Sequence, residues 1–418
     1  MSESTLNCSF CGKTREEVTK LIAGPNVYIC NECVTLSYNI VSEKENTQDS
    51  VEERKLPRPS EIKEHFDKYI IGHAATKELL SVCAYNHYKR IYSDTKVNLQ
   101  KSNILLLGPT GTGKTLFAQT LAKKLNVPFA MADATTLTEA GYVGEDVESV
   151  LERLITISEY DMELAQQGII YIDEIDKKAR KGESNTGTKD VSGEGVQQAL
   201  LRLIEGSVCK IKTPSRKIQD EYIEFDTSNI LFILGGAFVG LEDIIEKRKK
   251  RSSGIGFGAS VLDEKDKKHL LSQAKSGDVV AYGLIPELVG RLPLIGVLEN
   301  LDETALYNIM TKVKDNVIEQ VKELIRLDGM ELEFDDQYFH DVARLAIKEK
   351  LGARSLKGFV EGSIISIMYR APELHDSGVR HIKFNKYPLT ESEKPVIIFE
   401  NGMQKTDTEY RLHRGNNE

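Results

Sequence analysis

Residues 103–115 read NILLLGPTGTGKT. Ile104 to Leu107 are apolar side chains in an unbroken row, so a strand here has no polar face to turn to water and must be covered on both sides. Glycines follow at 108, 111 and 113, and the residues from Lys114 onward, KTLFAQTLAKKL, space their apolar positions for a helix. A buried strand that turns through glycines into a helix brings backbone N–H groups and the positive end of the helix dipole to one point, which suits phosphate. GPTGTGKT meets the spacing G-x-x-x-x-G-K-[ST], and it lies between strand and helix as that pattern requires. It predicts that Gly108, Pro109, Thr110, Gly111, Thr112 and Gly113 wrap the phosphates of ATP, with Leu116 next to them on the helix. Lys114 is expected on the β- and γ-phosphates, and the Thr115 hydroxyl on Mg²⁺.

Two further apolar runs lie downstream, GIIYIDEID (168–176) and NILFILGG (229–236). Each is short, continuous and separated from the next by helical spacing, which predicts a parallel sheet covered on both faces. The run at 168–176 ends in acids. An aspartate at a strand's carboxyl end, Asp173, suits the Mg²⁺ shell, and the adjacent Glu174 suits the task of orienting and deprotonating a water. After about residue 300 the apolar runs thin out. Residues 303–329 and 337–371 read as helices, with one short strand at PVIIFE (395–400). The expected organisation is a zinc-binding domain at 1–42, a polar linker with two prolines at 43–59 and a large α/β domain at 60–300. A small, mainly helical domain at 301–402 and a tail at 403–418 complete it.

Cys8, Cys11, Cys30 and Cys33 form two C-x2-C pairs eighteen residues apart. That spacing points to a closed tetrahedral Zn²⁺ site, here a treble-clef-like module that stabilises rather than catalyses. Two disulfides are the alternative, and a thioredoxin-like redox pair lacks its βαβ surroundings. The chain of 418 residues carries a net charge of −9, which argues against gripping nucleic acid by bulk charge. The amino-terminal residues have no basic and apolar leader pattern, and the longest apolar stretch, at 230–241, is too short for a membrane span. The expectation is a cytoplasmic protein with no membrane and no nucleic-acid partner. Arg291 in GRLP and Arg354 in GAR taken alone read as surface arginines, although charge developing on a γ-phosphate calls for arginine.

In this order, the phosphate loop, Asp173-Glu174, Arg291 in GRLP and Arg354 in GAR resemble the AAA+ ATPases, and nearly the whole chain is similar to the ClpX family of protein unfoldases. The resemblance implies an ATP-dependent unfoldase and translocase. It would thread tagged proteins through the pore of a homo-hexamer into a ClpP-type peptidase, and also act as a stand-alone chaperone. It implies that Arg291 acts in trans as a finger, that Arg354 senses nucleotide from the small domain, and that Ile70 and Ile71, in YIIGHAATK (69–77), contact the adenine; on the residues alone a plain core helix entry fits there as well. GYVG (141–144) would be the axial pore loop, with Tyr142 and Val143 gripping substrate; on the residues alone an ordinary turn fits as well. Residues 181–195 resemble a second pore loop, with Lys189 where the family carries arginine. Residues 209–222 resemble a basic loop at the pore entrance, but read Arg216-Lys217-Ile218 where Arg-Lys-His is usual, which puts tag preference in doubt. Ile255-Gly256-Phe257, framed by glycines, would dock on the peptidase; the residues alone also allow a loop folded onto its own core. The zinc domain would dimerise and dock substrates or adaptor proteins.

Two other classes compete. A clamp loader or helicase of the same ATPase class would show a basic DNA-facing surface and have no use for GYVG or Ile-Gly-Phe. A zinc-containing assembly factor using nucleotide as a switch would not need both Glu174 and Arg291.

Overall fold

The computed structural model describes residues 7–15, 17–25, 27–37, 56–138, 144–180, 191–212, 222–252, 270–387, 395–407 and 409. The chain divides into two compact units, Met1–Leu56 and Pro57–Glu418.

In the first unit Leu21–Gly24 and Val27–Cys30 form an antiparallel ribbon, with Leu21 opposite Cys30. A helix over 31–37 follows directly. Phe10, Ile22, Val27 and Leu36 are exposed, whereas Cys8 and Cys30 are buried. A unit this small buries little apolar surface and needs another source of stability.

The second unit is built on a five-stranded sheet of β1 (Ile104–Leu107), β2 (Phe129–Asp133), β3 (Ile169–Asp173), β4 (Leu231–Gly236) and β5 (Leu294–Val297), in the order β5-β1-β4-β3-β2. Every neighbouring pair is parallel. The apolar runs have no polar face because both faces are core. Ile104 and Leu106 of β1, Tyr171 of β3 and Ile233 of β4 enter the layer formed with the helices Pro59–Tyr69, Ala74–Tyr92 and Lys114–Leu125. Leu105, Leu107, Ile172 and Leu234 point the other way, against the helices Ser149–Ile157 and Val191–Glu205. Period-two alternation thus sorts one continuous apolar sequence between two cores. All five strands end on the same side, and a crevice outside those carboxyl ends is where ligands bind in such sheets.

Beyond β5 the chain becomes mainly helical, with Glu303–Thr311, Val317–Leu327, Asp336–Lys348 and Arg354–Met368 enclosing a separate core around Tyr338, Val342, Val360 and Ile364. Four strands flank these helices, not the single one read from sequence: β6 (Glu331–Phe334), β7 (Val379–Phe384), β8 (Val396–Phe399) and β9 (Gln404–Thr406). β6 pairs parallel to β7 and the other pairs are antiparallel, so β9 extends the sheet into the stretch read as tail. β6 and β7 carry charges on their outer face. Glu331 and Glu333 of β6 stand opposite His381 and Lys383 of β7 while Leu332, Phe334, Ile382 and Phe384 turn inward. Among the described residues no helix is long and apolar enough to cross a membrane.

Candidate functional site

The loop after β1 closes on itself around Lys114. The ammonium of Lys114 donates to the carbonyls of Gly108 at 2.7 Å and Pro109 at 3.0 Å, and the Thr112 hydroxyl donates to Pro109 O at 2.8 Å. Burial pushes the Lys114 amine below its ordinary range, and the charges of Asp173 and Asp176 oppose that shift. Two of the glycines are needed for their backbone. Gly113 has φ 97° at the N-cap of Lys114–Leu125, and Gly111 has φ 81° with a Cβ position that would fall well inside contact distance of the Leu351 carbonyl. With no side chain at 111, residues 351–353 of the small domain lie directly on the loop, and Ala353 N donates to Gly111 O at 3.1 Å.

Parallel pairing places the acidic end of β3 beside this loop. Thr115 Oγ1 donates to Asp173 Oδ2 at 3.2 Å, while Asp173 Oδ1 accepts from Tyr171 OH at 3.1 Å and from the backbone N–H of Glu174 at 2.9 Å. The Asp173 carboxylate is therefore fixed in direction and turned towards the threonine that is expected to share its cation. Glu174 takes a left-handed backbone, φ 56°, where the strand breaks into the short turn Ile175–Lys178. Non-glycine residues held there cost of order 1–3 kcal/mol, a strain that collects at functional sites. Asp176, which the sequence reading passed over, accepts from Ala237 N at 3.2 Å and Phe238 N at 3.3 Å and is 6% exposed. It ties the acidic turn to the end of β4. The signal for it was the third acid of DEID, two residues beyond Glu174.

A cleft of about 450 Å³ opens between these parts. Thr110, Gly111, Gly113, Lys114, Thr115 and Leu116 line one side of it. Asp173, Glu174 and Asp176 line another, and Arg354 reaches it from the small domain at the head of its helix. Leu116 is 42% exposed at its rim, beside Val239 at 78%. The structure thus brings together Lys114, Thr115, Asp173, Glu174 and Arg354 from three separate segments. Arg291 does not line the cleft; it pairs instead with Glu205 of its own chain at 2.8 Å. Ile70 is a core residue in contact with the layer of Phe66 and Phe117, and Ile71 is half-buried. The neighbouring His73 has its ring against Phe117, at 6.0 Å between centroids, and near the backbone of Thr112, so this segment braces the phosphate loop from behind.

The pore-loop residues Tyr142 and Val143 lie outside the described residues, bracketed by the short parallel pair Leu137–Thr138 and Glu145–Asp146. Lys189, Arg216-Lys217-Ile218 and Ile255-Gly256-Phe257 also lie outside them. The antiparallel ribbon Val208–Lys212 with Tyr222–Asp226 leads into and out of the segment holding Arg216.

In the first unit the Sγ atoms of Cys8, Cys11, Cys30 and Cys33 all lie within 4.8 Å of one another. Cys8 and Cys33 are 3.9 Å apart, and Cys11 and Cys30 are 3.7 Å apart. A disulfide would need about 2.05 Å. Four thiolates about 2.3 Å from one zinc form a tetrahedron with edges of about 3.8 Å. The four residues therefore fit Zn²⁺ as a closed site, and backbone N–H groups of Cys30 and Cys33 already point at the sulfurs of Cys8 and Cys30, at 3.3 and 3.4 Å.

Three family models match the chain, in order along it. Residues 99–295 match an AAA domain (Cdc48 subfamily), and residues 301–377 match the C-terminal D2-small domain of ClpB protein. With the β5-β1-β4-β3-β2 sheet and the loop-and-acid cleft, these make the chain an AAA+ ATPase. Residues 6–43 match the ClpX C4-type zinc finger, whose span covers all four cysteines. The chain is a ClpX-like AAA+ protein.

Proposed function

We propose that this chain is an ATP-driven protein unfoldase that works as a cytoplasmic homo-hexamer, threads tagged proteins through its axial pore and delivers them to a ClpP-type peptidase. It would also act as a chaperone without the peptidase, and it hydrolyses no peptide bonds itself. The observation that carries this reading is the convergence of Lys114, Thr115, Asp173, Glu174 and Arg354 on one cleft whose wall is shared by the large and small domains.

Bound MgATP would supply a cleavable phosphoanhydride and a counter-charge for it. The chain's own residues do the rest. The loop amides and Lys114 neutralise phosphate charge, and Lys114 exchanges the carbonyls of Gly108 and Pro109 for phosphate oxygens. Thr115 and Asp173 hold the metal's side of the cleft. Glu174 orients a water and takes its proton on the carboxylate as the water's oxygen attacks the γ-phosphorus, the β,γ-bridging P–O bond breaks and ADP leaves with the bridging oxygen. Arg354 is attached to the small domain, whose Ala353 is hydrogen-bonded to Gly111, so a change in phosphate charge is felt as a change in how the two domains sit. Repeated strokes of that kind, delivered by Tyr142 and Val143, can overcome a substrate domain stable by only ~5–15 kcal/mol. The basic segment at Arg216-Lys217-Ile218 would steer acidic or carboxylate-ended tags, Lys189 would act from a second pore loop, and Zn²⁺ on the four cysteines would hold the adaptor-docking module together.

The test is ATP-dependent degradation of a tagged, stably folded fluorescent protein by the chain with a ClpP-type peptidase, beside a variant lacking Ile255-Gly256-Phe257. The expected result is that both hydrolyse ATP and only the intact chain degrades substrate. Equal degradation by both removes the docking role. Hydrolysis without unfolding of any tagged substrate moves the clamp-loader class ahead.

A further inference from the structure

Arg291 is held more firmly than a surface arginine needs to be. It sits at the C-cap of the helix Pro286–Gly290. Asn103, 2% exposed and one residue before β1, donates from Nδ2 to Arg291 O at 3.2 Å and to Ile204 O at 3.4 Å, and accepts from Phe232 N at 3.3 Å. One buried amide thus ties the backbone of Arg291 to the start of the strand carrying the phosphate loop, to β4, and to the end of the helix Val191–Glu205. The side chain is fixed from the same helix end. Its Nε and Nη2 converge on Glu205 Oε1, at 2.9 and 2.8 Å.

The helix Val191–Glu205 also makes a second connection. Gln197 is fully buried; its Nε2 donates to Lys178 O at 2.7 Å, and its Oε1 accepts from Ile285 N at 2.8 Å. Lys178 ends the turn that begins after Glu174, and Ile285 caps the helix that ends at Arg291. The same element therefore grips both ends of the Arg291 helix and the tail of the acidic strand.

We propose that Glu205 is the positioning residue of Arg291. It sets the plane of the guanidinium and leaves Nη1 outside the pair, free to meet the nucleotide of a neighbouring subunit, while Gln197 keeps that attitude in register with Asp173-Glu174. The proposal rests on reading Arg291 as a residue that acts in trans. Side-chain exposures of 52% and 41% mean that the ion pair adds little to stability, so its consequence is geometric. An arginine left free would spread over many rotamers, and few of them would meet a phosphate across a subunit boundary.

The experiment is steady-state ATP hydrolysis by the full chain and by Glu205→Ala, Glu205→Gln, Arg291→Ala and the double variant Glu205→Ala/Arg291→Ala. Glu205→Ala is expected to lower kcat roughly tenfold with KM for ATP nearly unchanged, the pattern of a lost transition-state contact. Glu205→Gln, which keeps an oxygen for Nε, should retain most of the activity. In the Arg291→Ala background Glu205→Ala should cost nothing further. Wild-type or raised kcat in Glu205→Ala overturns the proposal, as does an equal loss in both backgrounds. If Arg291→Ala keeps full kcat, the reading of Arg291 falls and the proposal with it. A loss in Arg291→Ala with none in Glu205→Ala removes the proposal alone. Should Glu205→Ala melt early, Glu205→Asp, which keeps the charge but withdraws it by one methylene, provides the same comparison.

Discussion

At the scale of single residues, the cleft separates holding from reacting. Asp173 has its carboxylate committed to Tyr171, Thr115 and the backbone of Glu174, so it can orient but not swing. Glu174 lines the same cleft from a strained backbone position. Glu174→Gln should therefore lower the hydrolysis rate by roughly 10²–10⁴-fold, the usual worth of a general base, with ATP binding retained. A coupled assay for phosphate release, read beside titration of a fluorescent nucleotide, checks both halves. Loss of binding along with hydrolysis would make Glu174 a structural acid instead.

At the scale of elements, the decisive contact is between the phosphate loop and residues 351–353. It exists because Gly111 has no Cβ and takes φ 81°. Gly111→Ala meets both a left-handed backbone and the Leu351 carbonyl, and should cost about 1–3 kcal/mol of stability. It should also weaken ATP binding by moving Arg354 away from the cleft. Thermal unfolding with and without nucleotide measures the two effects together: a lower midpoint without nucleotide, and a smaller rise on adding it. An unchanged nucleotide-induced rise would mean that the small domain finds the cleft without this contact.

At the scale of the whole molecule, the two units are stabilised by different means. Among the described residues, Met1–Leu56 has few buried apolar side chains and four converging thiols, whereas Pro57–Glu418 has three apolar cores. Chelation of zinc should unfold the first unit and leave hydrolysis by the second intact. Limited proteolysis would then cleave within residues 7–37 while ATPase activity stays within about twofold of the untreated chain. Protection of residues 7–37 after full metal removal would contradict a zinc-held fold.

Much of this architecture was legible in the amino-acid order because its signals are local. Four apolar residues in a row, as at Ile104–Leu107, leave a strand no choice but burial on both faces. Glycines before Lys114-Thr115 are needed within a few residues of one another, and so are the two cysteines of each C-x2-C pair. The strands β6, β7 and β9 were not read because they are short, and in β6 and β7 the outward charges find their partners only across the sheet, as Glu333 does in Lys383 at 3.4 Å. Nor did the sequence indicate that Asp176 would cap the end of β4, or that Arg291 would be held by Glu205, 86 residues away along the chain. The sequence by itself determined which segments become strands, loops and metal-binding pairs, because backbone preference and side-chain periodicity act over short distances. Only the tertiary structure decided which acid faces Thr115, which small-domain residues lie on Gly111 and which carboxylate holds Arg291, because those contacts follow from parallel strand order and close packing between distant segments.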